Sequence, residues 1–274
     1  MKYCYRFNTN LKNIDEADEI KIIYKNQDKE LPAFLEKHSD KRITLTVEFL
    51  TMGDVKLIKA IAEEYPDIDL AICFGNLQRA TSIPAAITDL LQYLAPIKYY
   101  FNMTVSSWEM LHYFISLGVS DVYISEQLGF ELPAAKALCS SHGVSIRAFP
   151  NVAQSESTNT DPLQRFFIRP EDTDIYAQYI DTFEFWGLDD RQAIFRRIYE
   201  RKEWGGDLQE IITSLDRRLE SPRLVPIWGE TRVSCKRGCL ADKSCRICQR
   251  IANVSEQLEK ENLFIKQRKH FDFS

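Results

Sequence analysis

Four cysteines late in the sequence form its strongest chemical pattern. Cys235, Cys239, Cys245 and Cys248 are separated by three, five and two residues, and four thiolates this close can converge on one metal ion or iron–sulfur cluster. The alternatives are free thiols or two disulfides, but free cysteines are usually buried singly. The two-residue spacing of the last pair is typical of zinc knuckles and the other spacings are not, so spacing favours zinc only slightly.

The loop that carries these cysteines is basic, whereas the rest of the chain is acidic. Residues 232–250 contain six Lys or Arg and one Asp, and residues 251–274 sum to zero, so a total of −5 leaves −10 on residues 1–231. An acidic body repels nucleic acid, so we expect any contact with RNA or DNA to use the bases of the loop. These are Lys236, Arg237, Lys243 and Arg246. The alternative is that they only offset the thiolate charge, since the loop has no aromatic residue for base stacking.

A second set of candidate residues consists of polar side chains that close apolar runs. The catalytic candidates are Glu48, Asn102, Glu126 and Glu184, and the ligand-binding candidates are Asn76, Arg147, Asn151 and Arg169. Carboxylates can act as general acids and bases, and arginines can pair with a carboxylate or phosphate. The alternative is that polar residues end these runs only because the chain meets water there. No Gly-x-Ser-x-Gly or His-Glu-x-x-His motif occurs, so serine-hydrolase and zincin mechanisms have no support.

Eight short β-rich runs alternate with helical patterns and would position these residues. The predicted strands are Ile20–Tyr24, Ile43–Phe49, Leu70–Phe74, Lys98–Thr104, Asp121–Ser125, Val144–Phe149, Arg165–Arg169 and Asp181–Trp186. This alternation predicts a (β/α)8 TIM-like barrel, in which the candidate residues meet at the carboxyl ends of the strands. An open doubly wound sheet has the same alternation, but no glycine-rich phosphate turn follows any strand. Further helices are predicted at Arg191–Trp204 and Asp207–Leu219.

Composition and length are those of an ordinary globular protein. The chain has 274 residues, 45% of them hydrophobic and 27% charged, which is enough to bury a core. No apolar run approaches the roughly 18–20 residues that span a bilayer, and the first residues lack the layout of a signal peptide. We therefore expect a cytoplasmic protein with reduced cysteines. We divide it into a barrel with trailing helices, residues 1–220, and a metal-binding segment with a closing helix, residues 221–274.

Part of the predicted barrel resembles the peptidase U-32 (collagenase-like) family. The similar stretches are Leu117–Glu126 (LGVSDVYISE), Leu132–Leu138 (LPAAKAL) and Gly143–Phe149 (GVSIRAF), preceded by the strand that contains Asn102. The likeness covers about residues 68–187. It implies a TIM-like barrel of a modification or maturation protein, since several members act in RNA or quinone hydroxylation and hold a [4Fe–4S] cluster on four cysteines.

The cysteines of this chain depart from that family. Cysteines of U-32 proteins begin just after the strand that corresponds to Val144–Phe149, but here the residues after Phe149 contain none and the cluster follows the barrel. With this resemblance, an iron–sulfur cluster is as well supported as zinc for the four-cysteine site. We therefore expect a metal-bearing barrel that modifies RNA or a small molecule by hydroxylation-type chemistry, or an accessory factor for it. The alternative is a non-catalytic barrel whose zinc knuckle binds protein or nucleic acid. Clustered, mutually oriented charged residues in the mouth of the barrel would favour the enzyme, and a mouth plugged by apolar residues would favour the binding module.

Overall fold

The computed structural model is a closed barrel of eight parallel strands. It describes residues 1–6, 14–24, 30–47, 52–75, 91–125, 128, 131–153, 166–186, 191–214 and 228–235. The strands are β1 (Lys2–Arg6), β2 (Glu19–Ile23), β3 (Arg42–Val47), β4 (Leu70–Phe74), β5 (Lys98–Val105), β6 (Asp121–Ile124), β7 (Ser145–Ala148) and β8 (Thr182–Glu184). Each pairs with its neighbours in sequence order, and β1 pairs with β8 to close the ring. The predicted TIM-like barrel is confirmed.

Helices lie between and after the strands. In the described ranges the α-helices are α1 (Leu31–Lys37), α2 (Met52–Glu64), α3 (Trp108–Ser116), α4 (Leu132–Ser141), α5 (Thr173–Tyr176), α6 (Arg191–Arg201) and α7 (Trp228–Ser234). Short 3₁₀ helices occupy Ile14–Glu16, Pro170–Asp172 and Leu208–Glu210. None of these described helices is long and apolar enough to cross a membrane.

Local signals in the sequence set the ends of α3. The Ser107 hydroxyl accepts a hydrogen bond from the backbone N–H of Met110 at 3.2 Å, which satisfies one of the free donors at the start of the helix. Gly118, just after the helix, has a φ of 79°, a conformation that costs glycine little and other residues more. Ser107 thus sets where α3 begins, and Gly118 sets where the chain turns towards β6.

The count of eight strands was predicted with two errors that cancel. The strand β1 at Lys2–Arg6 was missed, and it pairs with both β2 and β8. Of the strand predicted at Arg165–Arg169, Arg165 lies outside the described residues. The prediction was wrong over the described ones: Phe166 makes only an isolated β-bridge, and Phe167–Arg169 have no strand pairing although their side chains are buried. This stretch packs as an extended connection between β7 and β8, with the Tyr199 hydroxyl donating to the carbonyl of Ile168 at 2.7 Å.

The chain after the barrel also differs from its prediction. Residues 207–214 do not continue a helix as expected for Asp207–Leu219: only one 3₁₀ turn forms, and Thr213 pairs in parallel with Val152. The helix α7 was not predicted, and its Trp228 is 1% exposed and stacks on Phe167. The predicted domain boundary after residue 220 lies outside the described residues. Beyond it, α7 packs onto the barrel body.

Most strands alternate polar and apolar residues, and β4 is apolar throughout. Its Ala71 and Cys73 form a small buried cluster with Tyr100 and Tyr123, separate from the main core. The apolar set faces outward into one large core that includes residues of the surrounding helices, such as Val55, Phe114 and Leu132. In β7, for example, Ile146 belongs to this core while Arg147 does not. Successive side chains of a strand point to opposite faces of a sheet, so the polar set faces the interior of the barrel.

Candidate functional site

Seven charged side chains fill the interior of the barrel. We call them the interior charge cluster: Arg6, Glu19, Lys21, Arg42, Asp121, Arg147 and Glu184. Several of their ion pairs join strands that are not neighbours, such as Arg147 on β7 with Glu19 on β2, so the contacts cross the barrel. The cluster has four cations and three carboxylates, a net charge of +1. Barrel interiors are usually packed with branched apolar side chains, and this one is not.

The amino end of the barrel is closed by paired charges. Arg42 donates to both oxygens of Asp121, at 3.1 and 2.6 Å. Deeper inside, Arg147 is fully buried and donates to both oxygens of Glu19, at 2.8 and 3.0 Å, and to Asp121 at 3.3 Å. The Thr44 hydroxyl donates to Glu19 at 2.7 Å. Bidentate pairs of this kind combine strength with fixed geometry, so this layer forms a rigid floor.

The carboxyl end of the interior carries a second layer centred on Glu184. Arg6 Nε donates to Glu184 Oε1 at 2.7 Å. Lys21 Nζ lies 3.3 and 3.5 Å from the two Glu184 oxygens and 3.0 Å from the Tyr123 hydroxyl. That hydroxyl donates in turn to Glu184 Oε2. One carboxylate, one ammonium and one phenol are therefore in mutual hydrogen-bond contact, which is the arrangement that acid–base chemistry requires.

Burial and charge act in opposite directions on these groups. Burial by itself would raise the pKa of Glu184, but Lys21, Arg6 and Arg147 outweigh it and hold that pKa far below its usual range. Burial would lower the pKa of Lys21, yet the acidic groups around it, Cys73 and Glu184 first among them, raise it instead. Burial raises the pKa of Tyr123 well above its usual value. The resting site thus holds an ammonium, a carboxylate and a neutral phenol.

Aromatic rings and one arginine form the mouth above this layer. The guanidinium of Arg6 lies 4.6 Å from the ring centre of Trp186 and 5.5 Å from that of Phe149, and the ring of Phe149 stacks on Tyr123 at 4.9 Å. Arg6 Nη2 is buried without a hydrogen-bond partner within the described part of the chain. The Ser125 hydroxyl, two residues beyond Tyr123, is likewise buried and unpartnered there. Both groups lie at the carboxyl ends of their strands.

The structure describes two of the four predicted catalytic residues, Asn102 and Glu184. Glu48, Asn76 and Glu126 lie outside the described residues. Asn102 was predicted near the carboxyl end of the strand Lys98–Thr104; β5 runs to Val105, and Asn102 lies half-buried within it. Glu184 ends β8 and is the centre of the carboxyl-end layer. Its predicted convergence with Glu48, Asn102 and Glu126 remains a prediction.

The predicted ligand-binding residues occupy different environments. Arg147 lies deep in the interior rather than at the rim. Asn151 is buried, and its side chain donates to the carbonyl of Trp186 at 2.7 Å and accepts from its N–H at 2.8 Å, so it joins the ends of β7 and β8. Arg169 does not end a strand, because the strand predicted there is absent; it is buried in a bidentate pair with Asp172 at 2.7 and 2.8 Å.

Sequence reasoning missed most of the interior charge cluster. Five of its members were not among the candidates. Arg6 lies on β1, which was not predicted, and the other four do not lie at the carboxyl end of a strand: Glu19, Lys21, Arg42 and Asp121. The signal that could have found them is the alternation itself, as in Glu19-Ile20-Lys21-Ile22. Strands of a parallel barrel are buried on both faces and usually read as continuous apolar runs, so repeated charges at alternate positions indicate a polar interior.

Of the four clustered cysteines, only Cys235 lies in the described part of the chain. It follows α7, is half-buried, and packs against the main core. It forms no disulfide within the described residues, and those residues contain no group of three or more metal-binding side chains. The backbone of α7 lies close to the barrel body at Gly229, because a Cβ added there would lie 2.7 Å from Asp172 Oδ1. The helix therefore holds the start of the cysteine segment against the barrel body.

A surface groove elsewhere has a different character. It has a volume of about 540 Å³ and is lined by residues of 91–99 and 116–120, with Lys98 the one charged side chain among them. Lys98 begins β5, so the groove lies at the amino end of the barrel. The groove lies away from the carboxyl-end layer and brings no acid–base groups together.

The comparisons with other proteins add no family to this geometry. Neither the known protein families, nor the curated proteins, nor the solved structures contain a match to this chain.

Proposed function

We propose that this chain is a metal-bearing barrel enzyme that modifies a small anionic molecule at the carboxyl end of its barrel. The observation that carries the proposal is the contact between Lys21, Tyr123 and Glu184 beneath Arg6. Buried ionisable groups with strongly shifted pKa values concentrate at functional sites. Active sites of TIM-like barrels also lie at this end of the strands.

The charge of the site supports an anionic substrate. Arg6 already neutralises Glu184, but its Nη2 has no acceptor among the described residues, and the interior cluster as a whole carries +1. A buried donor without an acceptor is costly, and a carboxylate or phosphate oxygen would satisfy it. Residues 1–231 carry −10 overall, which opposes a long polyanion more than a small one. This favours a small molecule over RNA as the substrate.

The metal part of the proposal rests on the cysteines and on the resemblance to U-32 proteins. Cys235, Cys239, Cys245 and Cys248 would hold the group, and four thiolates suit either zinc or a [4Fe–4S] cluster. A zinc ion would order the cysteine segment, whereas an iron–sulfur cluster would also supply electron transfer. Metal and sulfide analysis of the protein purified without oxygen distinguishes the two: one zinc in a colourless protein, or iron with sulfide in a coloured one.

Calorimetric titration of the full chain with pyruvate and with inorganic phosphate tests the substrate site. We expect Arg6→Gln to weaken the binding of the better anion by about 10- to 100-fold, because a hydrogen bond to a charged group contributes about 1.5–3 kcal/mol. Arg197→Gln is the matched control, since Arg197 is a half-exposed arginine paired with Glu16 on the surface. Equal loss in both variants, or no binding by the wild type, would refute an anion site at Arg6.

The alternative function is a non-catalytic barrel whose basic cysteine loop binds nucleic acid. It predicts that neutralising Lys236, Arg237, Lys243 and Arg246 lowers the salt dependence of RNA binding by about 0.7–0.9 log units for each phosphate that the loop no longer neutralises. The clustered, mutually oriented charges inside the barrel favour the enzyme over this alternative.

A further inference from the structure

We propose that Lys21 forms a protonated imine with a carbonyl compound that also carries a carboxylate or phosphate. This inference rests on the proposed function and names its substrate class: Arg6 would bind the anionic group, and the amine of Lys21 would attack the carbonyl carbon. Lysines that form imines in enzymes are commonly activated by a lowered pKa. Here, against the effect of burial, the acidic neighbours of Lys21 raise its pKa instead, so the amine has to be freed by proton transfer to Glu184, with which it is in contact.

The position of Lys21 fits this role. It is the only buried lysine in the described ranges, with a relative exposure of 4%. Its Cα is the register partner of the Cα of Arg6 on the neighbouring strand, and the Arg6 side chain is 23% exposed. Arg6 therefore connects the level of Lys21 with the exposed rim of the barrel. Both side chains contact Oε1 of Glu184, at 2.7 Å from Arg6 and 3.3 Å from Lys21.

This shared carboxylate oxygen sets the geometry of the substrate. A substrate anion that accepts from Arg6 Nη2, which has no acceptor within the described part of the chain, would stand beside Glu184 and near Lys21. A carbonyl carbon one bond from the carboxylate carbon, as in a 2-oxo acid, or three bonds from phosphorus, as in dihydroxyacetone phosphate, then faces the amine. Holding reactants in this way replaces a bimolecular encounter by an intramolecular one.

Glu184 and Tyr123 can move the protons that the reaction requires. The ammonium of Lys21 gives one proton to Glu184, and the free electron pair forms the C–N bond while the carbonyl π electrons move to oxygen. The Tyr123 hydroxyl, 3.0 Å from Nζ, protonates that oxygen and recovers its proton from nitrogen. Glu184 returns its proton as the C–O bond breaks and water leaves. Two ammonium protons end in the water, the third stays on the imine, and the charge remains +1.

Anion binding itself helps the first proton transfer. Arg6 donates to Glu184 in the structure, and a substrate anion competes for that guanidinium. Glu184 then loses part of the positive charge that keeps it ionised and accepts a proton more readily. A carbonyl compound without an anionic group would lack this effect as well as the anchor.

Reductive trapping on the full-length protein tests the proposal. The protein is incubated with sodium cyanoborohydride and pyruvate, dihydroxyacetone phosphate or acetone, and the modified lysines are mapped by peptide mass spectrometry. We expect the adduct at Lys21 to exceed that at the exposed Lys98 by roughly tenfold or more with an anionic probe, because binding orients the carbonyl. Acetone should show no such preference. The first two probes distinguish a carboxylate from a phosphate as the anchored group.

Two variants sharpen the result. Lys21→Arg keeps the charge beside Glu184 but removes the amine, and it should abolish the adduct while pyruvate or phosphate still binds. Arg6→Gln should remove the preference for anionic probes over acetone. Labelling of Lys98 without labelling of Lys21 by any of the three probes overturns the proposal. If anions still bind through Arg6 in that case, the proposed function survives and only the imine is excluded.

Discussion

The two faces of the same eight strands are built on opposite principles. The outward face is apolar and packs on helices through side chains such as Ile146 and Phe183, both 0% exposed. The inward face holds Arg147 and Glu184, also 0% exposed. Burial is equal, so the difference between the faces is one of chemistry: the outer face gains stability by removing apolar surface from water, whereas the inner face must compensate every charge that it desolvates.

This difference assigns stability mainly to the outer face and the proposed function to the inner face. Replacing a buried ion pair by apolar residues of similar volume is often neutral or stabilising, so the inner face is not the most economical way to fill a barrel. The proposed chemistry at the carboxyl end would account for these charges, with the Arg42–Asp121 and Arg147–Glu19 pairs lying below that layer.

The largest effect is expected from removing one partner of an inner pair. Arg147→Met leaves Glu19 as a buried carboxylate without its bidentate cation and removes one of the two arginines that contact Asp121. We expect the free energy of unfolding to fall by about 3–5 kcal/mol in urea denaturation. The double variant Arg147→Met with Glu19→Gln should recover part of this loss. A fall below about 1 kcal/mol would mean that water reaches the inner face.

The next effect is a difference in acid sensitivity. The pKa of Glu184 is held below its unfolded value, so its contribution is complete above the unfolded pKa of about 4.3 and is lost as the pH falls towards the folded pKa. For this one group the free energy of unfolding should fall by up to about 1.4 kcal/mol per pH unit below pH 4.

Urea denaturation at several pH values measures this slope. Glu184→Gln should flatten it, and Asp121, whose pKa is lowered as well by Arg147 and Arg42 against the opposing effect of burial, should supply most of what remains. The outer-face variant Ile146→Val carries no ionisable group and should leave the slope unchanged. Equal slopes in wild type and Glu184→Gln would contradict the ionised state of Glu184.

A smaller effect is expected on the outer face. Ile146→Val removes one methylene next to Arg147 in sequence but on the other side of the sheet, and it should lower the free energy of unfolding by about 0.5–1.5 kcal/mol. Comparison with Arg147→Met in the same denaturation experiment gives the contrast between the two faces directly. A cost as large as that of Arg147→Met would show that the faces do not differ in this way.

The smallest effect is expected from an ion pair outside the barrel. Lys98 and Asp69 are 2.8 Å apart, but their side chains are 52% and 41% exposed. Lys98→Met should change the free energy of unfolding by less than about 1 kcal/mol, because water already solvates both charges. A larger loss would show that exposed ion pairs in this protein contribute as much to stability as buried ones.

The outer face is what made the fold predictable. Runs such as Leu70–Phe74 and Asp121–Ile124 carry enough branched and aromatic residues to identify a strand, and seven of the strands coincide with predicted ones. Lys2–Arg6 was missed because only Tyr3 and Tyr5 indicate it. Residues 166–168 were misleading because they are as buried as a strand. Phe167 stacks on Trp228 of α7, and Ile168 accepts a hydrogen bond from Tyr199 of α6, so helices cover them although they are not part of the sheet.

The candidate site was less predictable because it depends on contacts between distant residues. Glu184 was identified from its place at a strand end, but its partners Arg6 and Lys21 are 178 and 163 positions away. Alternation places Lys21 and Ile22 on opposite faces of the sheet and indicates a polar interior, but it does not show that Lys21 meets Arg6 and Glu184 there. Only closure of the barrel, through the unpredicted β1, decides that.

The pairing of β1 with β8 also has a consequence for how the protein is made. Lys2 and Thr182 are register partners, so the ribosome must add about 180 residues between them, which takes roughly 10–35 s at typical elongation rates. During that time the nascent sheet has two open edges, and the inward charges of β2 and β3 are exposed to water. Charged side chains discourage edge-to-edge association of strands. The polar lining can thus protect the growing chain from aggregation before it has any other role.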